Sequence, residues 1–156
     1  MPIQKLKNFL DRNGVKYVSI QHSPAYTAQE VAALAHIPGE IVAKTVMVKI
    51  DGRMAMAVVP ASHQIDFDQL REIAAAEQVE LASEDEFKDL FPACDVGAMP
   101  PFGNLYDMVV YSSEVLTEDL EVAFTAGSHS ELIRLAYTDY EQLVQPEVAR
   151  FSKRIS

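Results

Sequence analysis

The sequence predicts an α/β fold of the mixed α+β type, and three observations support this prediction. Residues 3–13 repeat apolar side chains with a helical period. Residues 44–50 and 54–59 are rich in strand formers and flank Asp51-Gly52-Arg53, a sequence typical of a hairpin turn. Several predicted strands follow one another with no helix between them, which differs from a regular alternation of strand and helix.

Each further element has a local signal. Ser/Thr-x-x-Glu capping boxes begin at Thr27, Ser83 and Thr138, and Asp66 can cap another helix. The predicted helices are therefore residues 3–13, 27 to about 36, 66 to about 77, 83 to just before Pro92, and 138 onward. The predicted strands are residues 15–21, 44–50, 54–59, 79–82, 107–112, 122–125 and 132–136. Because there is no repeat, low-complexity tract or linker, we expect one domain over residues 1–156.

The composition narrows the class of protein. The 156 residues carry a formal net charge of −10 and a single cysteine, Cys94, so no internal disulfide can form. No apolar run approaches the roughly 20 residues that cross a bilayer, and the N-terminal residues lack a signal-peptide core. We therefore expect a cytoplasmic protein with no membrane partner. The acidic charge lowers the expectation of extensive contact with nucleic acid.

The reactive side chains form no familiar nucleophile or metal motif. The chain has neither a G-x-S-x-G elbow nor a Walker loop. Cys94 has no adjacent base and is better explained as a small buried residue. The histidines are not spaced as zinc ligands; they are His22, His36, His63 and His129. The sequence predicts neither a metal site nor a cofactor.

Lys44 lies on an unexpected face of a predicted strand. Side chains alternate along a strand, so Lys44 shares a face with Val46, Val48 and Ile50. If that face packs into the interior, an unpaired ammonium there is costly. Three arrangements remain open: the lysine reaches out to solvent from the strand end, pairs with a carboxylate, or lines a cavity.

Two glycine-bearing loops are candidates for a binding site. One is Gly97-Ala-Met-Pro-Pro-Phe-Gly103 and the other is Ala126-Gly-Ser-His-Ser130. Glycine lets the backbone approach a ligand closely and proline makes the path rigid, so such loops can direct N–H groups at a carbonyl oxygen. Each loop alone is better explained as a tight connection between strands, since loops rich in glycine and proline are common.

Five segments in order resemble one known family. The sequence resembles the YbaK/prolyl-tRNA-synthetase-associated editing domains, which are trans-acting aminoacyl-tRNA deacylases. The likeness covers nearly the whole chain, and each motif is weak alone. The segments are His22-Ser-Pro-Ala-Tyr-Thr27, Ala43-Lys-Thr-Val-Met-Val-Lys49, Val96-Gly-Ala-Met-Pro-Pro-Phe-Gly103, Ala126-Gly-Ser-His129, and the ending that starts at Tyr137-Thr-Asp-Tyr and reaches Pro146.

The resemblance implies a fold and an activity. The fold would be a twisted mixed sheet, partly closed as a barrel and flanked by helices. The activity would be hydrolysis, in trans, of the ester that joins a wrong, small amino acid to tRNA. Alanine, serine, cysteine and threonine all remain open as that amino acid. The implied partner is the tRNA acceptor end, with an aminoacyl-tRNA synthetase as a second candidate partner and with no cofactor or metal.

The resemblance also implies roles for residues. Lys44 would hold the terminal adenosine or its phosphate, Gly97 would belong to the loop around the aminoacyl group, and Gly127 to a second loop in which a backbone N–H or the His129 imidazole contacts substrate. With no protein nucleophile evident, a water aided by a ribose hydroxyl would attack the ester. Met99 and Phe102 would confine the amino-acid side chain. The expected substrate-binding residues are His22, Tyr26, Thr27, Thr45, Ala98, Met99, Pro100, Pro101, Phe102, Ser128 and His129.

Two other readings of the same residues stay open. A non-catalytic module could bind an aminoacyl-adenosine or a tRNA 3′ end, although such a module would be expected to lack Lys44, Gly97 or Gly127. An interaction domain whose glycine and proline loops only connect strands would leave the position of Lys44 unexplained.

Overall fold

The computed structural model describes residues 2–25, 27–35, 37–91, 94–95 and 97–155. Helices flank a mixed sheet, as the sequence predicts. The helices are α1 (Pro2–Arg12), α2 (Ala28–Leu34), α3 (Phe67–Ile73), α4 (Glu84–Phe87) and α5 (Tyr137–Val144). The strands are β1 (Tyr17–Gln21), β2 (Val42–Ile50), β3 (Arg53–Pro60), β4 (His63–Ile65), β5 (Val79–Leu81), β6 (Val110–Ser113), β7 (Glu121–Thr125), β8 (Glu131–Ala136), β9 (Glu147–Ala149) and β10 (Ser152–Arg154). No described helix is both long and apolar enough to cross a bilayer.

Strand β2 lies at the centre of an open sheet. The strand order is β1-β8-β7-β2-β3-β6-β9, and β5 also pairs with β2. The β2–β7, β3–β6 and β6–β9 pairs are parallel and the other pairs of this sheet are antiparallel. Strands β4 and β10 form a separate antiparallel pair. The described strands do not close on themselves, so the partial barrel implied by the resemblance is not observed.

The sheet carries apolar clusters on both faces, and β2 contributes to each. Ala43 and Met47 point into the main core, which α1 and α5 cover. Val46 and Val48 point the other way, into a cluster with α3. Val42 belongs to a third cluster with α2. Because side chains alternate along a strand, Lys44 falls on the second face, between the clusters that contain Val42 and Val46.

Most local signals are confirmed. The β2–β3 hairpin turns at Asp51 and Gly52, which both have a positive φ, as a type I′ turn requires. Thr27 and Asp66 cap α2 and α3 through their side chains, and Ser83 forms a complete capping box with Glu86. These caps satisfy N–H groups that have no partner within the helix.

The capping box predicted at Thr138 is wrong. Helix α5 begins one residue earlier, at Tyr137, and its N-cap position is Ala136, which forms no side-chain cap. Tyr137 and Tyr140 are buried in the main core, so tertiary packing sets this helix start. Helix α3 is also shorter than predicted, because Ala75 takes a left-handed φ of 52° just beyond it.

Gly103 is required for packing. A Cβ atom at this position would lie 2.5 Å from both the Met108 carbonyl oxygen and Val110 Cγ2. The chain folds back here, because the N–H groups of Tyr106 and Met108 both donate to the Gly103 carbonyl oxygen at 2.9 Å.

Gly103→Ala should therefore destabilise the fold by about 1–3 kcal/mol, the usual cost of overpacking an interior. Denaturant unfolding measures this difference. Gly39→Ala is the matched control, because a Cβ there meets only Ser62 Cβ at 3.9 Å. We expect the control to change the free energy of unfolding by less than about 1 kcal/mol. Equal losses in both variants would contradict the steric explanation.

Candidate active site

A cavity with two adjoining chambers, which share four lining residues, lies beside the start of β2. The inner chamber has a volume of about 30 Å³ and the outer, more open chamber about 390 Å³. Four residues line both chambers: Thr27, Lys44, Thr45 and Gly97. The inner chamber is also lined by Ala25, Val31, Val42, Ala43, Thr125 and His129, and the outer chamber by Gln29, Val46, Ala61 and Ile155.

Lys44 lines the cavity without a carboxylate partner. None of the ion pairs between described residues includes it. Burial alone lowers the pKa of its ammonium group, since removal from water disfavours the charged form. Lys49 lies five residues further along β2 and points to the opposite face of the sheet. Its ammonium group is paired with Glu80 and Glu86. Of the three arrangements open for Lys44, the structure therefore has the cavity-lining one.

The first glycine loop reaches the cavity only through Gly97. Its φ is +86°, which favours glycine, and a Cβ there would lie 3.6 Å from His129 Cε1. The N–H of Ala98 is bonded to the Asp95 carbonyl oxygen and that of Phe102 to the Pro100 carbonyl oxygen. Among the described residues none accepts a hydrogen bond from the Gly97 N–H, so this amide is available as a donor at a residue that lines the cavity.

The rest of that loop turns into the protein and does not line the described cavity. Ala98, Met99, Pro100, Pro101 and Phe102 are all buried. Met99 and Phe102 belong to the main core and line neither chamber. Their role in confining the substrate stays a prediction. The ring of Phe102 lies 5.3 Å from that of Phe124 and 5.5 Å from that of Tyr140. The Tyr140 hydroxyl in turn donates to the Pro101 carbonyl oxygen at 2.9 Å.

The second glycine loop contributes the His129 side chain. Gly127 has a φ of +100°, and its N–H donates to the Ala98 carbonyl oxygen at 2.8 Å. That amide is therefore committed to the first loop. The Ser128 hydroxyl accepts from the Ser130 N–H at 3.4 Å, and Ser128 is not among the lining residues. His129 itself lines the inner chamber beside Gly97.

The segment from His22 to Thr27 reaches the cavity at its C-terminal end. Thr27 lines both chambers, but its hydroxyl accepts from the Glu30 N–H and serves α2 as a cap. His22 lies outside the lining, where its N–H donates to the Ser130 carbonyl oxygen at 2.9 Å. Tyr26 lies outside the described residues. Thr45, the neighbour of Lys44, lines both chambers.

Several lining residues have no signal in the sequence. Val31 comes from α2, Thr125 from the end of β7, and Ile155 follows β10. These segments are far apart in the chain and carry no motif, so only the fold brings them together. Val42 is the exception, because alternation along β2 places it on the face of Lys44.

The described residues contain no cluster of three or more His, Cys, Asp or Glu side chains that could hold a metal ion. Cys94 is half-buried away from the cavity, with its sulfur 4.0 Å from the Tyr106 hydroxyl. Burial raises the pKa of the Cys94 thiol, which disfavours the reactive thiolate.

Comparison with known families decides the assignment of the chain. Residues 22–143 match the model of the aminoacyl-tRNA editing domain, and this range contains the cavity residues from Ala25 to His129. The chain belongs to the aminoacyl-tRNA editing domain family. The match confirms the resemblance drawn from the five sequence segments.

Relatives of this editing-domain protein include proline–tRNA ligases. The ligase of Bacillus mycoides is 28% identical over 88 residues, which are 56% of this chain and 15% of the ligase. The ligase of Bacillus thuringiensis subsp. konkukian is 31% identical over 75 residues, 48% of this chain and 13% of the ligase. The matched region is thus a small part of the length of these enzymes.

Solved structures share the fold. The crystal structure of a hypothetical protein superimposes with a TM-score of 0.85 at 21% identity, covering 96% of this chain and 99% of the other. A candidate trans-editing enzyme for prolyl-tRNA synthetase gives a TM-score of 0.83 at 19% identity, with 97% of each chain covered. At these identities the likeness establishes the architecture of the editing domain.

The unpaired Lys44 leads to a prediction about stability. Since its pKa is lowered in the folded state, the folded protein opposes the charged form at neutral pH. Lys44→Met should leave the melting temperature at pH 7 unchanged or raise it. Between the lowered pKa of the folded state and the ordinary lysine pKa, the unfolded chain binds more protons at residue 44 than the folded chain does. The wild-type protein should therefore gain stability relative to the variant as the pH rises through this range.

Thermal unfolding at pH 7 and at a pH near 10 tests this prediction. Lys49→Met, on the same strand, is the matched control; it removes a lysine paired with Glu80 and Glu86 and should not raise the melting temperature. A melting temperature several degrees lower for Lys44→Met than for Lys49→Met would mean that Lys44 makes a stabilising contact.

Proposed function

We propose that this protein is an aminoacyl-tRNA deacylase that hydrolyses, in trans, the ester of a tRNA carrying a small, wrong amino acid. The observation that carries the proposal is the meeting of Lys44, Gly97 and His129 in one cavity whose inner chamber measures about 30 Å³. Membership of the editing-domain family agrees with this chemistry.

The two chambers suit the two parts of such a substrate. The aminoacyl side chain would occupy the inner chamber, and the terminal adenosine would lie in the outer chamber of about 390 Å³. Lys44 faces both chambers, so its ammonium can donate to a ribose or phosphate oxygen of the nucleotide. A half-buried, unpaired cation gains more from an incoming anion than an exposed one does.

The size of the inner chamber supports a small amino acid. A volume near 30 Å³ holds roughly two or three waters, or a side chain of that order, because one water needs about 10–15 Å³ by the same measure. Ala25, Val31 and Val42 supply apolar wall, while Thr125 adds a hydroxyl. Alanine, serine, cysteine and threonine remain the candidate substrates.

Water is the proposed nucleophile. Its oxygen would attack the ester carbonyl carbon, the bond from that carbon to the ribose oxygen would break, and the ribose hydroxyl would regain the proton. A neighbouring ribose hydroxyl of the substrate could help remove the proton from the water. The Gly97 N–H can donate to the carbonyl oxygen as negative charge develops there, and the His129 imidazole can contact the substrate from the facing loop.

The tRNA acceptor end is the proposed partner. A protein of net charge −10 would grip few phosphates, so binding should be weak and sensitive to salt. The relatives among proline–tRNA ligases suggest tRNA for proline as the first tRNA to test. The synthetase for proline is a second proposed partner, which would add contacts to the tRNA.

Incubation with mischarged tRNAs tests the proposal directly. We expect the protein to hydrolyse the ester of tRNA for proline that carries at least one of alanine, serine, cysteine and threonine. The ester of the same tRNA carrying phenylalanine should remain intact. Lys44→Met should reduce kcat/KM by about 10- to 100-fold, the scale of a lost charge-assisted hydrogen bond. Binding of the charged tRNA without ester loss would favour a non-catalytic module, and full activity of folded Lys44→Met would remove the lysine from the mechanism.

Enlarging the inner chamber should change the choice of amino acid. Val31→Ala removes two methyl groups from the wall, so the ratio of kcat/KM for a larger over a smaller amino acid should rise about tenfold. Val122→Ala is the matched control, since Val122 is equally buried but lies in the main core. An unchanged ratio in Val31→Ala, or the same shift in both variants, would contradict the assignment of the inner chamber.

A further inference from the structure

We propose that Asp95 is a positioning residue for this site, a role that rests on the proposed deacylase function. Its carboxylate holds the backbone of His129, and its backbone joins the two glycine loops. We call this set of contacts the Asp95 clamp. Asp95 lies beside the cavity rather than in its lining, so it acts through Gly97 and His129.

The backbone half of the clamp ties the loops into one wall. The Asp95 N–H donates to the Gly127 carbonyl oxygen at 2.8 Å, and the Gly127 N–H donates to the Ala98 carbonyl oxygen at 2.8 Å. The Ala98 N–H closes the turn by donating to the Asp95 carbonyl oxygen at 3.0 Å. These three bonds bracket Gly97, so its backbone keeps a fixed position relative to the second loop.

The side-chain half of the clamp fixes His129. The His129 N–H donates to Asp95 Oδ2 at 3.2 Å, and the His129 carbonyl oxygen accepts from the Ala25 N–H at 2.9 Å. The backbone of His129 is therefore held on both sides, by two different segments. Its imidazole then lies in the inner chamber, within contact distance of the position a Cβ would take at Gly97.

The Asp95 carboxylate contributes less to the stability of the fold than the backbone hydrogen bonds of residue 95 do. Asp95 is exposed, and a single hydrogen bond accepted by an exposed carboxylate adds little to the free energy of unfolding. The backbone bonds of residue 95 persist with any side chain. The carboxylate therefore matters for the alignment of His129 with Gly97, and misalignment of about 1 Å can lower a rate strongly.

Two variants separate the hydrogen bond from the charge. Asp95→Ala removes the acceptor, and Asp95→Asn keeps a side-chain oxygen at the same distance. On the best substrate of the wild-type protein, we expect Asp95→Ala to lower kcat about five- to tenfold with KM changed less than twofold, because alignment acts on the transition state. Asp95→Asn should keep at least half of the wild-type kcat.

Two readouts distinguish positioning from a loss of structure. The melting temperatures of both variants should lie within about 2 °C of wild type, as for a surface substitution. The amide resonance of His129 should shift upfield in Asp95→Ala, since it loses its acceptor, and stay close to the wild-type position in Asp95→Asn. Asp89→Ala is the control, because Asp89 is an exposed aspartate six residues earlier in the chain. This change should alter neither kcat nor that resonance.

Each other outcome overturns the proposal. Wild-type kcat in Asp95→Ala would mean that the carboxylate has no role in the reaction, and equal losses in Ala and Asn would mean that charge, not the hydrogen bond, is required. A loss of kcat that follows a fall in melting temperature would mean a structural role. If wild-type protein hydrolyses none of the four esters, the proposed function fails, and the His129 amide shift alone decides whether the clamp exists.

Discussion

The arrangement of the site depends on one half-buried ammonium group. Lys44 lies on a strand face where its neighbours two residues away pack into apolar clusters, and no described carboxylate neutralises it. Such a charge is tolerated only because a cavity keeps it in contact with water. The lysine therefore interrupts the apolar packing between the clusters of α2 and α3, and the gap it leaves is the space in which a substrate can lie.

The sheet and the loops each position different residues of the site. Strand β2 has neighbours on both edges and packing on both faces, so Lys44 and Thr45 stand on the most constrained element of the protein. Gly97 and His129 come from loops, which are less constrained by packing. Hydrogen bonds that cross between the loops compensate for this, and the polar partners they need are backbone groups and one aspartate.

The sequence was informative wherever function depends on a local rule. Alternation along β2 put Lys44 on the correct face, and the glycines at positive φ marked both loops. It did not show that Met99 and Phe102 turn into the main core, because a glycine- and proline-rich loop gives no sign of which side chains point inward. It also gave no sign of Val31, Thr125 or Ile155 in the walls, since contacts between distant segments depend on topology. The short strands β4, β9 and β10 were missed because three residues are too few to show an alternating pattern.

The most direct test of the central claim is a crystal structure with a non-hydrolysable alanyl-adenosine 5′-phosphate analogue, in which an amide replaces the ester. The account predicts that Lys44 Nζ lies within hydrogen-bond distance of a ribose or phosphate oxygen. It also predicts the alanyl methyl group in the chamber between Val31, Val42 and Gly97. An analogue bound in another part of the protein, with Lys44 still facing an open cavity, would contradict the account.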